Sequence, residues 1–267
     1  SNRWLSENDD ETDFPKTAAS HPFAEYESGG YVLVSASPAF NSLAVTTKIA
    51  ANLPEGVKLV VLAESESERA SAEETYRRHL SDDRLVVLNL GTRAGLWARD
   101  SLPIPVWTDQ NELALVDARY YHGNEPDAVL AQVFRTPLLS HRYYFEGGNL
   151  MTDSAGNCFI VANSKVASMP DLAFERYYGC RRLTRLPHVA GIGHVDERIK
   201  VLSDRRVVTD EPSYESTLRD LGYEVTALPR PTSSYGTYAN ALLVNGTVFL
   251  PTYGEATDLD AQQVYEG

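Results

Sequence analysis

From Tyr31 onward, short apolar runs alternate with stretches of helical period. Tyr31–Ser35, Lys58–Ala63 and Arg84–Leu90 have the length and Val/Leu content of buried strands. Ala39–Asn52 and Glu66–Leu80 between them read as helices, the second amphipathic and heavily charged. Extended segments then dominate: Leu102–Trp107, Leu113–Asp117, His141–Phe145, Asn149–Thr152 and Cys158–Ala162, interrupted by a helix over Pro126–Phe134. The last third predicts helices over Asp171–Tyr178, Tyr214–Leu221 and Asp258–Tyr265. Its strands are Glu197–Leu202, Arg206–Thr209, Glu224–Leu228, Ala239–Val244 and Thr247–Pro251. Asn245-Gly246 between the last two is a strong hairpin signal. The unit is two strands, a helix and a strand, recurring about every 45 to 60 residues without legible tandem repetition. This predicts one α/β domain over residues 31–267, with the last unit short of its closing strand.

Residues 1–30 depart from the pattern. Glu7, Asp9, Asp10, Glu11, Asp13, Glu25 and Glu27 face only Arg3 and Lys16, with few branched apolar residues, so a loose acidic arm is expected there. Over the whole chain, 24 Lys+Arg oppose 37 Asp+Glu, a net charge of -13. Such a surface repels phosphate backbones, so no nucleic-acid partner is expected, and it favours a cationic ligand without naming one. Hydrophobic residues at 43% and charged residues at 23% are ordinary globular usage. No apolar run approaches the ~20 residues of a membrane span, so a soluble protein with no membrane partner is expected. The chain starts at Ser1 with no signal-peptide pattern, which is compatible with an export signal already trimmed. Cys158 and Cys180 are too few for a disulfide framework or a Cys-rich zinc site, although one bridge is possible.

Four segments carry residue types suited to chemistry. In Gly193-His194-Val195-Asp196-Glu197, His194 and Asp196 share a face if the backbone is extended, putting an imidazole beside a cation-binding acid; a loop histidine near an acid is the plainer alternative. Trp97-Ala98-Arg99-Asp100 offers a carboxylate able to hold a guanidinium by paired hydrogen bonds, or merely a local Arg99–Asp100 pair. Phe145-Glu146-Gly147-Gly148-Asn149 sets an acid before two glycines that let backbone approach a ligand, though a turn explains it nearly as well. Ser234-Tyr235-Gly236-Thr237-Tyr238-Ala239-Asn240 places an amide ahead of the hairpin, with a ligand or the loop itself as its partner.

Taken in order, Trp-x-Arg-Asp, Glu-Gly-Gly-Asn, Gly-His-x-Asp and Tyr-x-Asn before an Asn-Gly hairpin resemble the agmatine deiminase and bacterial-type peptidylarginine deiminase family of guanidino-modifying enzymes. The resemblance runs from about Leu90 to the C-terminus. It implies a pentein fold, a five-fold pseudosymmetric α/β propeller, with no metal and no organic cofactor. It also implies that Asp100 and Asp196 grip the guanidinium, that His194 is the general acid/base, and that Glu146, Gly147, Gly148 and Asn149 line the pocket. Trp97 would wall it, Arg99 would also bind the substrate, and Asn240 matches an active-site amide of the bacterial peptidylarginine deiminases. The implied reaction is hydrolytic deimination of agmatine, arginine or peptidyl arginine through a cysteine thiouronium, with links to citrullination and putrescine biosynthesis.

The family's nucleophilic cysteine belongs to a Gly-rich segment near the C-terminus that has no counterpart within residues 1–267. Cys158 in its apolar run reads as a small buried hydrophobe. Cys180, beside Arg176, Arg181 and Arg182, lies in the wrong order for the role. The parent protein is therefore expected to be a deiminase whose thiol lies beyond this chain, the chain alone being inactive. The alternatives are a non-catalytic guanidino-binding protein and a metal-dependent amidinohydrolase using His194, Asp196, Asp100 and Glu146. A substrate carboxylate would need a cation, for which Arg93 or Arg181 are candidates.

Overall fold

The computed structural model describes Phe14 and residues 19–92, 95–117, 119–121 and 125–267; Arg93 and most of the acidic arm lie outside these described residues. The packed chain begins inside the expected arm. Ala19–Pro22 (β1) pairs antiparallel with Ile104–Thr108 (β5), and the pleat buries Ala19. Tyr31–Ser35 (β2), Lys58–Ala63 (β3) and Leu85–Asn89 (β4) form a parallel sheet whose crossovers are helices Ser42–Ala51 (α1) and Glu66–Tyr76 (α2). Parallel strands require such crossovers, and β3, a continuous apolar run, is buried on both faces.

Three further sheets repeat one pattern, an antiparallel pair followed by a crossover to a parallel strand. β5 pairs with Leu113–Val116 (β6), which after Glu125–Phe134 (α4) pairs with Leu138–Leu139 (β7). Met151–Thr152 (β8), Asn157–Val161 (β9) and Arg182–Leu186 (β10) form the next. Ile199–Val201 (β11), Arg206–Thr209 (β12) and Glu224–Ala227 (β13), with Glu215–Asp220 (α6) between the last two, form the third. Leu242–Val244 (β14) and Thr247–Phe249 (β15) are a hairpin followed by helix Thr257–Glu266 (α7). Its turn residues Asn245 and Gly246 have φ of 47° and 80°, the paired left-handed geometry that Asn-Gly favours. No helix among the described residues is long and apolar enough to cross a membrane.

Several expected elements are altered. The helix expected from Ala39 starts at Ser42, because Phe40 and Asn41 are left-handed at φ 54° and 60°. His141–Phe145 is not a strand: the His141 ring accepts the Tyr143 backbone N–H at 3.2 Å, a local bond that replaces a ladder. Ala98–Ser101 is a short helix (α3), and Gly147–Asn149 a 3-10 turn rather than the start of β8. Asp171–Tyr178 starts as helix Asp171–Ala173 (α5) and widens into a π-turn ending at Gly179, whose φ is 74°. Strand β10 escapes the hydrophobic pattern because three of its five residues, Arg182, Thr184 and Arg185, are polar. Cys158 is buried as expected but is not a free thiol, since it is bonded to Cys180 across β9 and the approach to β10.

Candidate active site

Four acid–base side chains come together where α3, the Gly147–Asn149 turn and the segment before β11 meet. Asp100 sits in α3, whose start follows from Trp97: its carbonyl accepts the Asp100 and Ser101 N–H groups at 3.0 Å each. His194 and Asp196 converge differently from the expectation of a strand. His194 is extended, but Val195–Glu197 is a 3-10 turn that brings Asp196 back toward the same hollow. Asn149 fixes that segment. Its side-chain oxygen accepts Val161 N at 2.8 Å and Val195 N at 3.2 Å, while its amide donates to Val161 O at 3.0 Å.

The centre is His194. Its Nε2 lies 2.7 Å from Glu146 Oε2, and its Nδ1 lies 3.4 Å from Asp100 Oδ1. Gly148 N donates to Asp100 Oδ1 at 3.0 Å. A methyl group on Gly148 would stand 2.5 Å from Asp100 Oδ1, 2.7 Å from His194 Nδ1 and 3.0 Å from Asp196 Oδ2, so the three groups share one small space. Glycine is required here by close approach.

Burial pushes the His194 imidazole down, but the Glu146 hydrogen bond and the charges of Asp100, Asp196 and Glu146 outweigh it and hold the group above its ordinary value. Burial likewise raises Asp100, against His194 and the Gly148 N–H. Asp196 is pushed up to about 6 by burial, with Arg99 and His194 pulling the other way. Burial also works against ionised Glu146, yet hydrogen bonds from His194, Lys165 and Tyr144 bring it down to about 2. Flanking carboxylates favour the protonated form of the imidazole, which lets it carry a proton to a leaving group, and the acids are matched to a cation.

Two neighbours were not expected from the motifs. Lys165 Nζ bridges both Glu146 oxygens at 2.6 and 2.8 Å, and Tyr144 donates to Oε1 at 2.7 Å. Tyr120 stacks on Tyr144 and Tyr121 meets it edge-on, with centroids 6.2 and 5.6 Å away. Such rings suit a flat cation, and the pairs Tyr120-Tyr121 and Tyr143-Tyr144 were the available signal.

The remaining expected site residues divide. Trp97 is exposed and stacks on Phe40 at 5.8 Å. Arg99 pairs outside the hollow, with Glu25 at 2.7 Å and Leu150 O at 3.0 Å, while its charge still acts on Asp196. Asn149 faces backbone rather than a pocket, because all its polar atoms are taken. Gly147 packs against the Arg99 carbonyl. Asn240 is exposed and shares no hydrogen bond or ion pair with the cluster among the described residues. Arg181 packs on Gly156, beyond the opposite end of β9 from Lys165. A separate cavity of about 710 Å³, lined by Phe23, Val32, Leu102, Phe134 and Leu242, lies on the Arg99 and Gly147 side and does not include Asp100, His194 or Asp196. Among the described residues no three His, Cys, Asp or Glu side chains are placed to hold a metal ion.

Comparison with known proteins shows what the fold resembles. The chain matches agmatine deiminase from C. jejuni at 14% identity with a TM-score of 0.76, covering 92% of this chain and 86% of that one. Agmatine deiminase of Enterococcus faecalis matches at 15% identity and a TM-score of 0.75, covering 100% and 92%. The putative arginine deiminase from Porphyromonas gingivalis matches at 19% and 0.70, covering 91% and 88%. These likenesses establish a shared α/β fold. The model of the Porphyromonas-type peptidyl-arginine deiminases matches residues 32–267, and the chain therefore belongs to that family.

Proposed function

We propose that this site holds a guanidinium group between Asp100 and Asp196 and that the parent protein hydrolyses it to a ureido group and ammonia. The observation that carries the reading is the convergence of Asp100, His194 and Asp196 on Gly148. A guanidinium is a resonance-stabilised cation and a poor electrophile, so it must be fixed in plane and attacked by a strong nucleophile. A thiolate adds to the central carbon, and protonated His194 gives its proton to the departing nitrogen, which leaves as ammonia. Water then adds to the thiouronium carbon, His194 takes one proton and solvent the other, and the carbon–sulfur bond breaks to release the ureido product and the thiolate. Glu146 holds His194 charged and oriented for both proton transfers.

Both cysteines are consumed by the bridge, so the described residues hold no free thiol. The thiolate in this scheme comes from outside residues 1–267, and these residues by themselves bind without turnover. The C. jejuni enzyme solved with substrate bound is a Cys-to-Ser variant, which supports a thiol route. The repeated pattern of antiparallel pair, crossover and parallel strand supports a five-fold pentein propeller as the architecture. The test is ammonia and ureido release by the parent protein on agmatine, arginine and an arginyl peptide. Asp100→Asn and His194→Ala are expected to abolish turnover. Full activity in both variants overturns the assignment.

A further inference from the structure

We infer that Glu25 is a positioning residue of the guanidinium site, its carboxylate clamped between Arg99, borne by the helix that carries Asp100, and Lys200, borne by the strand that follows the Asp196 turn. The inference rests on the guanidinium reading of that site. Glu25 Oε1 lies 2.7 Å from Arg99 Nη1 and Oε2 lies 2.8 Å from Lys200 Nζ. Arg99 precedes Asp100 in α3, and Lys200, only 2% exposed, is in β11 just after the Asp196 turn. A buried ammonium needs a counterion, and among the described residues Glu25 is the carboxylate in contact with Lys200. Leu243 N supplies a further hydrogen bond, which ties the clamp to β14.

The consequence is electrostatic as well as geometric. Asp196 faces Arg99, His194, Asp100 and Lys200. Glu25 offsets two of those cations, so that the carboxylates of the site, rather than Arg99 and Lys200, set the local field for an arriving guanidinium. Without Glu25, both cations are left unbalanced beside Asp196. They then stabilise its charged form and repel the ligand. The segment holding Glu25 is anchored independently, with Phe23 N donating to Pro105 O at 3.0 Å and Asn245 donating to Gly29 O at 2.9 Å.

The experiment is a carbon-detected titration of Asp196 in the ligand-free protein, together with calorimetric binding of agmatine at pH 8. It compares wild type, Glu25→Gln, Glu25→Asp and Lys200→Met. Glu25→Gln is expected to move the Asp196 midpoint to lower pH and to weaken binding roughly tenfold. Glu25→Asp keeps the charge and restores the midpoint, a rescue that packing alone does not predict. Lys200→Met moves the midpoint the other way. A Glu25→Gln protein with wild-type midpoint and affinity overturns the inference, as does a shift of the same sign in Lys200→Met. If Glu25→Gln does not fold, the Glu25→Gln/Lys200→Met double variant, which leaves no unpaired buried ammonium, takes its place and must titrate Asp196 at lower pH than Lys200→Met alone; an equal or higher midpoint overturns the inference. Failure of wild type to bind agmatine counts against the guanidinium reading, while the titrations still test Glu25.

Discussion

A single methyl group tests the convergence on which the functional reading depends. Gly148→Ala puts a carbon 2.5 Å from Asp100 Oδ1, 2.7 Å from His194 Nδ1 and 3.0 Å from Asp196 Oδ2, where ordinary contact begins at 3.4 Å. The Asp100 carboxylate must therefore retreat by about 0.9 Å and the imidazole by about 0.7 Å. Neither can do so freely, since His194 is bonded to Glu146 and Asp100 to the Gly148 N–H. Gly148 has no positive φ, so alanine adds no backbone strain and the effect isolates the crowding. Overpacking of this kind costs roughly 1–3 kcal/mol of stability, and a displacement near 1 Å at reacting groups lowers turnover by roughly 100-fold. Urea unfolding measures the first quantity, and ammonia release by the parent protein the second. Gly30→Ala is the control, because a Cβ there meets nothing within 4 Å. A folded Gly148→Ala protein with wild-type turnover refutes the shared hollow.

Four other outcomes follow from the geometry. Removing the Cys158–Cys180 bridge, which spans 22 residues, is expected to cost about 3 kcal/mol through the unfolded chain; denaturant midpoints with and without reductant measure it, and alkylation of both thiols in unreduced, denatured protein would contradict the bridge. Asn149→Ala strips buried Val161 N and Val195 N of their acceptor, while Val161 O keeps Asn163 N at 2.8 Å, and is expected to lose about 2 kcal/mol in urea unfolding, so a change under 1 kcal/mol counts against its bracing role. Because burial holds Asp196 up to about 6, its charged form appears only as pH rises through that value, and guanidinium affinity should climb with it. Calorimetry from pH 5 to 8 reads this rise, Asp196→Asn should flatten it, and an unchanged slope in that variant is the adverse result. At the alkaline end, turnover should fall as His194 passes its raised midpoint and loses the proton it donates.

The motifs located the acids and the imidazole but misread how the backbone presents them. His194 and Asp196 were expected to share a strand face, whereas a 3-10 turn makes the approach. Two-residue spacing is compatible with both, so periodicity could not choose between them. Asn149 stands in a ligand-like motif, yet its amide is spent on backbone, a role visible only once β9 is placed beside it. Lys165 and Glu25 act on the site from 19 and 121 positions away from Glu146, counting along the chain, and no local pattern encodes such pairs. Glu25 in particular was absorbed into an acidic arm because composition averages over a stretch, while one buried ion pair depends on a single position. The parallel sheet of β2, β3 and β4 was legible because burial on both faces leaves an uninterrupted Val/Leu run. β10 was not, since its polar residues are held by partners remote in sequence, as Arg185 is by Asp171 at 2.7 Å.

The covalent tie at one end of β9 bears on how the protein is best produced. That strand carries Cys158 near its start, and its far end accepts the clasp of Asn149 and leads into Lys165. A bacterial cytosol with its glutathione and thioredoxin pools reduced keeps such thiols apart, whereas the periplasm closes them. Secretion-directed expression is accordingly the sounder route to material whose β9 strand keeps its covalent tie beside the candidate site.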